Sequence, residues 1–243
     1  MIFLFTDFGL HGPYVGEMHA VIRRQFPSLA VIDLMHDAPA TNPKAAGILL
    51  SALSRRFESG DGCVAVIDPG VGSRTRRALM IEADGVTYTG PDNGLFVPLV
   101  HRSHSSTCYE IFWQPATLSD SFHGRDLFAP ALVRKLSGKA IELREIEPAT
   151  LAEFDSIPAC NEIIYVDKFG NAISGISAGT VPKTNKFVVG GMHVSYARVF
   201  SEVKKGHGFW YENSMGLIEL AVNQGSFAET YNVTAGTTLE FES

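Results

Sequence analysis

Apolar residues follow two rhythms along this chain, and the change between them divides it. Residues 1–6 form a short apolar run that ends in Asp7-Phe8-Gly9, predicting a buried strand that gives way to a loop. Tyr14, Val15, Met18, Val21, Ile22 and Phe26 then recur at helical spacing until Pro27 stops them. Residues 30–34 predict a second strand. Asn42-Pro43 has the signature of an N-cap with proline at the first helical position, and Ala46, Leu49, Leu50, Leu53 and Phe57 set an apolar stripe on the helix behind it. Residues 62–67 are a third, β-branched run ending at Asp68-Pro69-Gly70. This strand–helix alternation predicts an N-terminal α/β domain built on a mostly parallel sheet.

Asp84-Gly85, between the runs at 79–83 and 86–89, predicts a hairpin, because that dipeptide tolerates the positive φ of a tight turn. Residues 108–112 predict another strand. Residues 126–136 predict a helix capped by Asp126. The pattern shifts after about Glu147. A polar stretch bounded by Pro148 and Pro158 has the composition of a linker. Beyond it, short strand-like runs at 163–166, 186–189, 208–211, 216–222 and 238–241 are punctuated by glycine and asparagine. They predict a smaller, all-β barrel or sandwich. The expected division is an α/β domain over 1–150 and a β domain over 159–243.

Composition narrows the function classes. The 243 residues are 45% hydrophobic and carry a net charge of -6, which argues against binding driven by neutralising nucleic-acid or lipid phosphates. No apolar stretch approaches the ~20 residues needed to cross a bilayer, and residues 2–5 are too short for a signal sequence. Cys63, Cys108 and Cys160 are scattered and odd in number, which suits buried small residues in a reducing cytoplasm.

The candidate chemistry lies just after apolar runs: Asp7, Asp68, Asp92-Asn93-Gly94, and His123-Gly124-Arg125-Asp126 ahead of a helix. Loops at the carboxyl ends of strands are where open α/β sheets bind ligands. Taken singly, Asp and Asn beside glycine are more often turn formers and caps. Asp68-Pro69-Gly70-Val71-Gly72 lacks the ending of a phosphate loop, and the chain holds no nucleophile elbow and no zinc spacing. A metal-dependent phosphohydrolase using Asp7, Asp68, Asp92 and His123 is one way to use these residues; a non-catalytic nucleoside-binding module is another.

Five segments in register resemble the S-adenosyl-L-methionine hydroxide adenosyltransferase family, which is related to the fluorinase and chlorinase enzymes. They are Thr6-Asp7-Phe8-Gly9, Asp68-Pro69-Gly70-Val71-Gly72, Gly90-Pro91-Asp92-Asn93-Gly94-Leu95, Phe122-His123-Gly124-Arg125-Asp126 and Asp167-Lys168-Phe169-Gly170-Asn171. The resemblance implies an N-terminal α/β domain with a C-terminal β-barrel. It also implies a homotrimer, with active sites between the N-terminal domain of one subunit and the C-terminal domain of its neighbour. The implied reaction splits S-adenosyl-L-methionine with water into adenosine and L-methionine, with no metal or other cofactor. Asp68 and His123 match two members of the family's Asp-Arg-His set. The arginine position itself holds Thr75, flanked by Arg74, Arg76 and Arg77; a one-residue insertion selects Arg76. Asp7 is implied to bind the ribose hydroxyls. Asp167, Phe169 and Asn171, with Ser214 and Glu219 in the stretch up to Gln224, are implied to bind the rest of the substrate. Thr41-Asn42 departs from the family, standing where an aromatic and an acidic residue are expected.

Overall fold

The computed structural model describes residues 1–73, 75–155 and 160–242. The chain forms two compact units, Met1–Ile157 and Pro158–Ser243. No helix among the described residues is long and apolar enough to cross a membrane.

The first unit is built on a seven-stranded sheet in the order β2-β1-β3-β5-β4-β6-β7. Its strands are β1 (Ile2–Thr6), β2 (Val31–Met35), β3 (Gly62–Val66), β4 (Ala78–Ala83), β5 (Val86–Pro91), β6 (Ser106–Ile111) and β7 (Leu143–Ile146). The expected mostly parallel sheet is mixed. β1 pairs in parallel with β2 and β3, and β3 with β5; β5, β4, β6 and β7 then pair antiparallel. The cause is local. Asp84 (φ 49) and Gly85 (φ 83) turn the chain straight back, so β4 runs against β5 and later strands add to the hairpin's outer edge.

β3 is buried at all five positions, as a strand covered on both faces must be. On one face Ile2, Leu4, Val64 and Val66 pack with Met18 and Ile22 of α1 (Tyr14–Gln25) and Leu132 and Val133 of α4 (Ala129–Leu136). The alternate residues carry an aromatic run: Phe3 stacks on Phe57 at 4.0 Å, followed by Tyr88 and Phe96. α2 (Pro43–Leu53) starts as expected, the Asn42 side chain accepting from Ala45 N at 3.1 Å. α3 (Val97–Arg102) follows the turn after β5 and was not evident in the apolar pattern, being barely two turns long.

Two expectations change. α4 does not begin at an Asp126 cap; a π-helical turn, Gly124–Phe128, leads into it. Asp126 instead accepts from Ser119 N at 3.0 Å, closing the preceding loop. The stretch from Pro148 is not free of the first unit through residue 155: Leu151 is buried, and Ala152 N donates to Asp92 at 2.9 Å. Pro158 lies outside the described residues.

The second unit holds two antiparallel sheets. One comprises β8 (Cys160–Val166), β9 (Ala172–Ser177), β12 (Gly208–Glu212) and β13 (Leu217–Val222), in the order β12-β13-β9-β8; the other comprises β10 (Phe187–Val189), β11 (Met192–Val194) and β14 (Glu240–Phe241). They are separate hydrogen-bonded sheets, not one continuous barrel ladder. Isolated bridges Glu162↔Thr238 and Tyr196↔Trp210 join the two sets of strands. Phe187, Trp210, Ile218, Leu220 and Phe227 form the core between them. β9 escapes the hydrophobic pattern because it is rich in serine and glycine. At Gly175 a Cβ would lie 2.5 Å from that of Cys160, so only glycine admits the neighbouring strand.

Gly47 provides a test of how α2 is seated. Alanine in a helix interior normally gains about 1 kcal/mol over glycine. Here an added Cβ would fall 2.3 Å from the Leu95 carbonyl oxygen, an overpacking that costs about 1–3 kcal/mol. Gly47→Ala is therefore expected to destabilise the protein in urea unfolding; a stabilised variant would show that α2 is not wedged against the loop after β5.

Candidate active site

Parallel pairing brings the first two candidates together. Thr6 at the end of β1 stands opposite Val66 at the end of β3, so the chain delivers Asp7 and Asp68 side by side at the sheet's carboxyl edge. Burial lifts Asp7 above the ordinary carboxylate range, a backbone bond from Thr41 N (3.4 Å) opposes the lift, and the nearby Asp68 charge adds to it. Thr41 reaches Asp7 from a left-handed backbone (φ 57), unusual for a β-branched residue, while Asn42 is spent on the helix cap. Phe8 and Phe122, which line a recess with Asp7, form an aromatic cluster with Tyr14, the rings meeting edge-on or tilted at 5.5–5.9 Å.

Asp68 has a side chain only 4% exposed and pairs with Arg76 Nη1 through Oδ1. The loop between them wraps tightly: Gly70 N donates to Asp68 Oδ1 at 3.2 Å and Val71 N to the Asp68 carbonyl at 3.2 Å. The Arg76 guanidinium lies directly over Gly70, where an added Cβ would fall 2.5 Å from Nη2. Gly72 (φ 85) sits equally close to the Asp120 carbonyl oxygen, 2.6 Å from its ideal Cβ. Both glycines of this motif thus serve close approach rather than phosphate binding. Arg77 turns elsewhere, its Nε donating to Asp92 Oδ2 at 2.7 Å and its Nη2 to the Thr150 carbonyl. Arg74 lies outside the described residues.

His123 comes from the loop ahead of the π turn, its ring edge-on to Phe128 at 6.4 Å. Of its motif neighbours, Arg125 and Asp126 neutralise each other at 2.6 Å, and Arg125 also pairs with Glu17 and lies 4.9 Å over Phe122. Arg125 holds Asp126 below the usual carboxylate range, against the opposing effect of burial. Within His-Gly-Arg-Asp, the histidine and the glycine line cavities, whereas Arg125 and Asp126 line neither of them. Asp68, Arg76 and His123 line one cleft of about 330 Å³, together with Ser73, Arg77 and Asp120. Asp68 and His123 also line an adjoining recess with Asp7, Phe8 and Phe122.

The second unit gathers the other candidates. Asp167, Phe169, Asn171, Ser214 and Glu219 all line a cavity of about 810 Å³. Asp167 folds its own loop, accepting from Phe169 N (2.8 Å), Asn171 N (2.9 Å) and Asn171 Nδ2 (3.1 Å), and this turn leaves Phe169 67% exposed. Glu219 is buried, accepting from the Tyr211 hydroxyl and from Asn213 Nδ2 at 3.0 Å. Burial raises Glu219 above the ordinary carboxylate range, opposed by these two donors. Tyr211 and Phe200 also line the cavity and have no motif to announce them. Tyr211 faces Glu219 as a cross-strand pair of β12 and β13, a relation that needs the strand register.

A four-residue metal set does not assemble. Both carboxylate oxygens of Asp92 are occupied, Oδ2 by Arg77 and Oδ1 by Ala152 N. No group of three or more His, Cys, Asp or Glu in metal-holding geometry occurs among the described residues.

Comparison with known proteins bears on the whole chain. Residues 2–145 match the model of the SAM hydroxide adenosyltransferase N-terminal domain, and residues 161–240 that of the C-terminal domain. An (R)-S-adenosyl-L-methionine hydrolase of Thermus thermophilus is 34% identical over 97% of this chain and 96% of its own length. A protein of the same name from Salinispora arenicola is 32% identical over 95% and 93%. Among solved structures, an uncharacterized conserved protein from Thermotoga maritima superposes with a TM-score of 0.85 at 26% identity, covering 100% of both chains. A conserved hypothetical protein from Thermus thermophilus gives 0.79 at 31% identity over 99% of both. Matched by both domain models and by hydrolases along nearly its full length, this chain belongs to the S-adenosyl-L-methionine hydroxide adenosyltransferase family.

Proposed function

We infer that this chain is an enzyme that hydrolyses S-adenosyl-L-methionine to adenosine and L-methionine. The observation that carries the chemistry is the convergence of Asp68, Arg76 and His123 on one cleft, in a chain whose relatives are named for this hydrolysis. The sulfonium is already a good leaving group. Water oxygen attacks ribose C5′, the C5′–S bond breaks, and its electron pair returns to sulfur as neutral methionine. The water proton passes to Asp68 or His123. In-line positioning of a weak nucleophile contributes about 7–11 kcal/mol in favourable cases, and a general base a further ~10²–10⁴ in rate. Arg76 supplies fixed positive charge beside the developing hydroxide. We assign it over Arg77 because it pairs with Asp68, whereas Arg77 is engaged by Asp92 and Thr150. With a cationic leaving group, the balance needs no Lewis acid, and we propose that the enzyme works without metal or cofactor.

For binding, Asp7 accepts from the ribose diol, beside the aromatic wall of Phe8 and Phe122. In the second unit, the loop folded by Asp167 presents Phe169 and Asn171, while Ser214 and Glu219 offer polar contacts to the amino-acid and adenine parts. The bridges at Glu162 and Tyr196 support closure of the two small sheets into a barrel. Domain 1–150 would carry the catalytic set with Asp7 and 159–243 the other binding residues, and a homotrimer sharing sites between subunits would unite them. Three buried cysteines, none of them in a disulfide, suit a cytoplasmic enzyme.

Purified protein incubated with S-adenosyl-L-methionine should release adenosine and methionine, with chelator present and without chlorinated nucleoside in chloride buffer. Loss of product on chelation would favour a metallohydrolase, and binding without turnover a nucleoside-binding module. Asp68→Ala or His123→Ala should lower kcat/KM by ~10²–10⁴; near-normal turnover would remove the residue from the catalytic set. Light scattering after size exclusion should give three times the 26.4 kDa chain mass.

Asp7 links the site to stability. Its raised folded-state value means that the folded protein holds this proton more tightly than the unfolded chain, so stability falls as pH rises from about 4 through the folded value. Asp7→Asn should therefore melt higher than wild type at neutral pH, and the gap should close near pH 3–4. A gap that widens in acid would contradict this.

A further inference from the structure

We propose that the turn at residues 91–94 is the positioning platform of the catalytic pair, holding Asp68 and Arg76 each through its chain neighbour. This rests on the hydrolase reading above and adds to it two positioning residues, Asn93 and Asp92.

Asn93 divides its amide between two tasks. Its Oδ1 accepts from Leu95 N at 3.3 Å, shaping the turn with Gly94 in a left-handed conformation (φ 91). Its Nδ2 reaches across the sheet edge to the carbonyl of Ile67 at 2.9 Å. Ile67 is fully buried and immediately precedes Asp68. That carbonyl shares a rigid peptide plane with the Asp68 N–H, so holding it sets the direction in which Asp68 leaves the strand. The turn needs only the oxygen of Asn93. The bond from its nitrogen serves the neighbouring strand.

Asp92 grips the other partner. Its Oδ2 accepts from Arg77 Nε at 2.7 Å, its backbone N donates to the Arg77 carbonyl at 3.0 Å, and its Oδ1 holds Ala152 N at 2.9 Å. The Asp92 side chain is 6% exposed, a setting in which a carboxylate–guanidinium bond is little weakened by solvent. Arg77 is thereby fixed at side chain and main chain, one residue from Arg76. A single turn at the end of β5 thus restrains Asp68 from one side and Arg76 from the other.

Asn93→Ala should lower kcat by about 10²-fold, the scale of an ångström-level misplacement, while leaving KM for S-adenosyl-L-methionine within about threefold. Asn93→Asp keeps the acceptor for Leu95 N and loses the donor to Ile67, so it should share the kcat defect without losing the turn. Asp92→Asn should fall by about tenfold with the same split between kcat and KM. In the Asp68→Asn background, Asn93→Ala should add almost no further loss, because it acts through Asp68. Full activity of Asn93→Asp would assign Asn93 to the turn alone and overturn the platform. So would additive losses in the double variant, or a kcat loss that only tracks the unfolded fraction in thermal melts. If Asn93→Ala does not fold, Asn93→Asp and Asp92→Asn decide. A wild-type protein that releases no adenosine overturns the hydrolase reading and the platform together; wild-type turnover with unaffected variants overturns the platform alone.

Discussion

A carboxylate with a side chain 4% exposed at the end of a buried strand cannot stand unpaired. Removing such a charge from water costs several kcal/mol unless a counter-charge and further hydrogen bonds offset it. Asp68 has both, the Arg76 guanidinium and the Gly70 N–H. Much of the surrounding chain follows from that requirement. Gly70 lacks a Cβ because the guanidinium lies where one would project, and Gly72 lacks one because the Asp120 carbonyl crosses above it. The following arginine, excluded from the same partner, neutralises Asp92 and secures the Thr150–Ala152 stretch against the sheet end.

The second unit handles a buried carboxylate differently. Among the described residues Glu219 pairs with no cation; a tyrosine hydroxyl and an asparagine amide are its donors. Burial therefore outweighs its partners and raises its proton affinity. The contrast suits the two tasks proposed for these residues. A nucleophile-orienting carboxylate gains from a fixed, salt-bridged geometry. A binding pocket gains from an acceptor whose solvation is incomplete until a ligand donor arrives. Both arrangements lie at positions where glycine, asparagine and aspartate also make turns, and the same residues do both. Asp167 shows the overlap, with three bonds to its own loop inside the cavity it lines.

Much of this was legible in the chain. Strands β1 to β3, helices α1 and α2 and the Asp84-Gly85 hairpin appear where hydrophobic period and turn chemistry place them, because these depend on contacts within a few residues. The family motifs named Asp7, Asp68, His123 and the second-unit cluster, and the structure gathers them at two cavities and a recess adjoining the first. Other features were invisible for an equally physical reason. The antiparallel half of the sheet depends on which edge accepts β6 and β7, and apolar runs carry no such information. β9 was missed because its burial rests on backbone approach at Gly175, not on large side chains. Tyr211 looked like any strand tyrosine until register set it opposite Glu219.

By itself, then, the sequence determined the local elements, the two contrasting halves and the residue types available for chemistry, since short-range dihedral preferences and periodic burial are written in neighbouring positions. Only the tertiary structure decided that Asp68 pairs with Arg76 while Arg77 turns to Asp92, and that Arg125 reaches Glu17 of α1. It also showed that Asn93 reaches the peptide before Asp68. Those choices are made between residues far apart in the chain or between chemically equal neighbours. Distance in space, not spacing along the chain, determines which charge finds which partner.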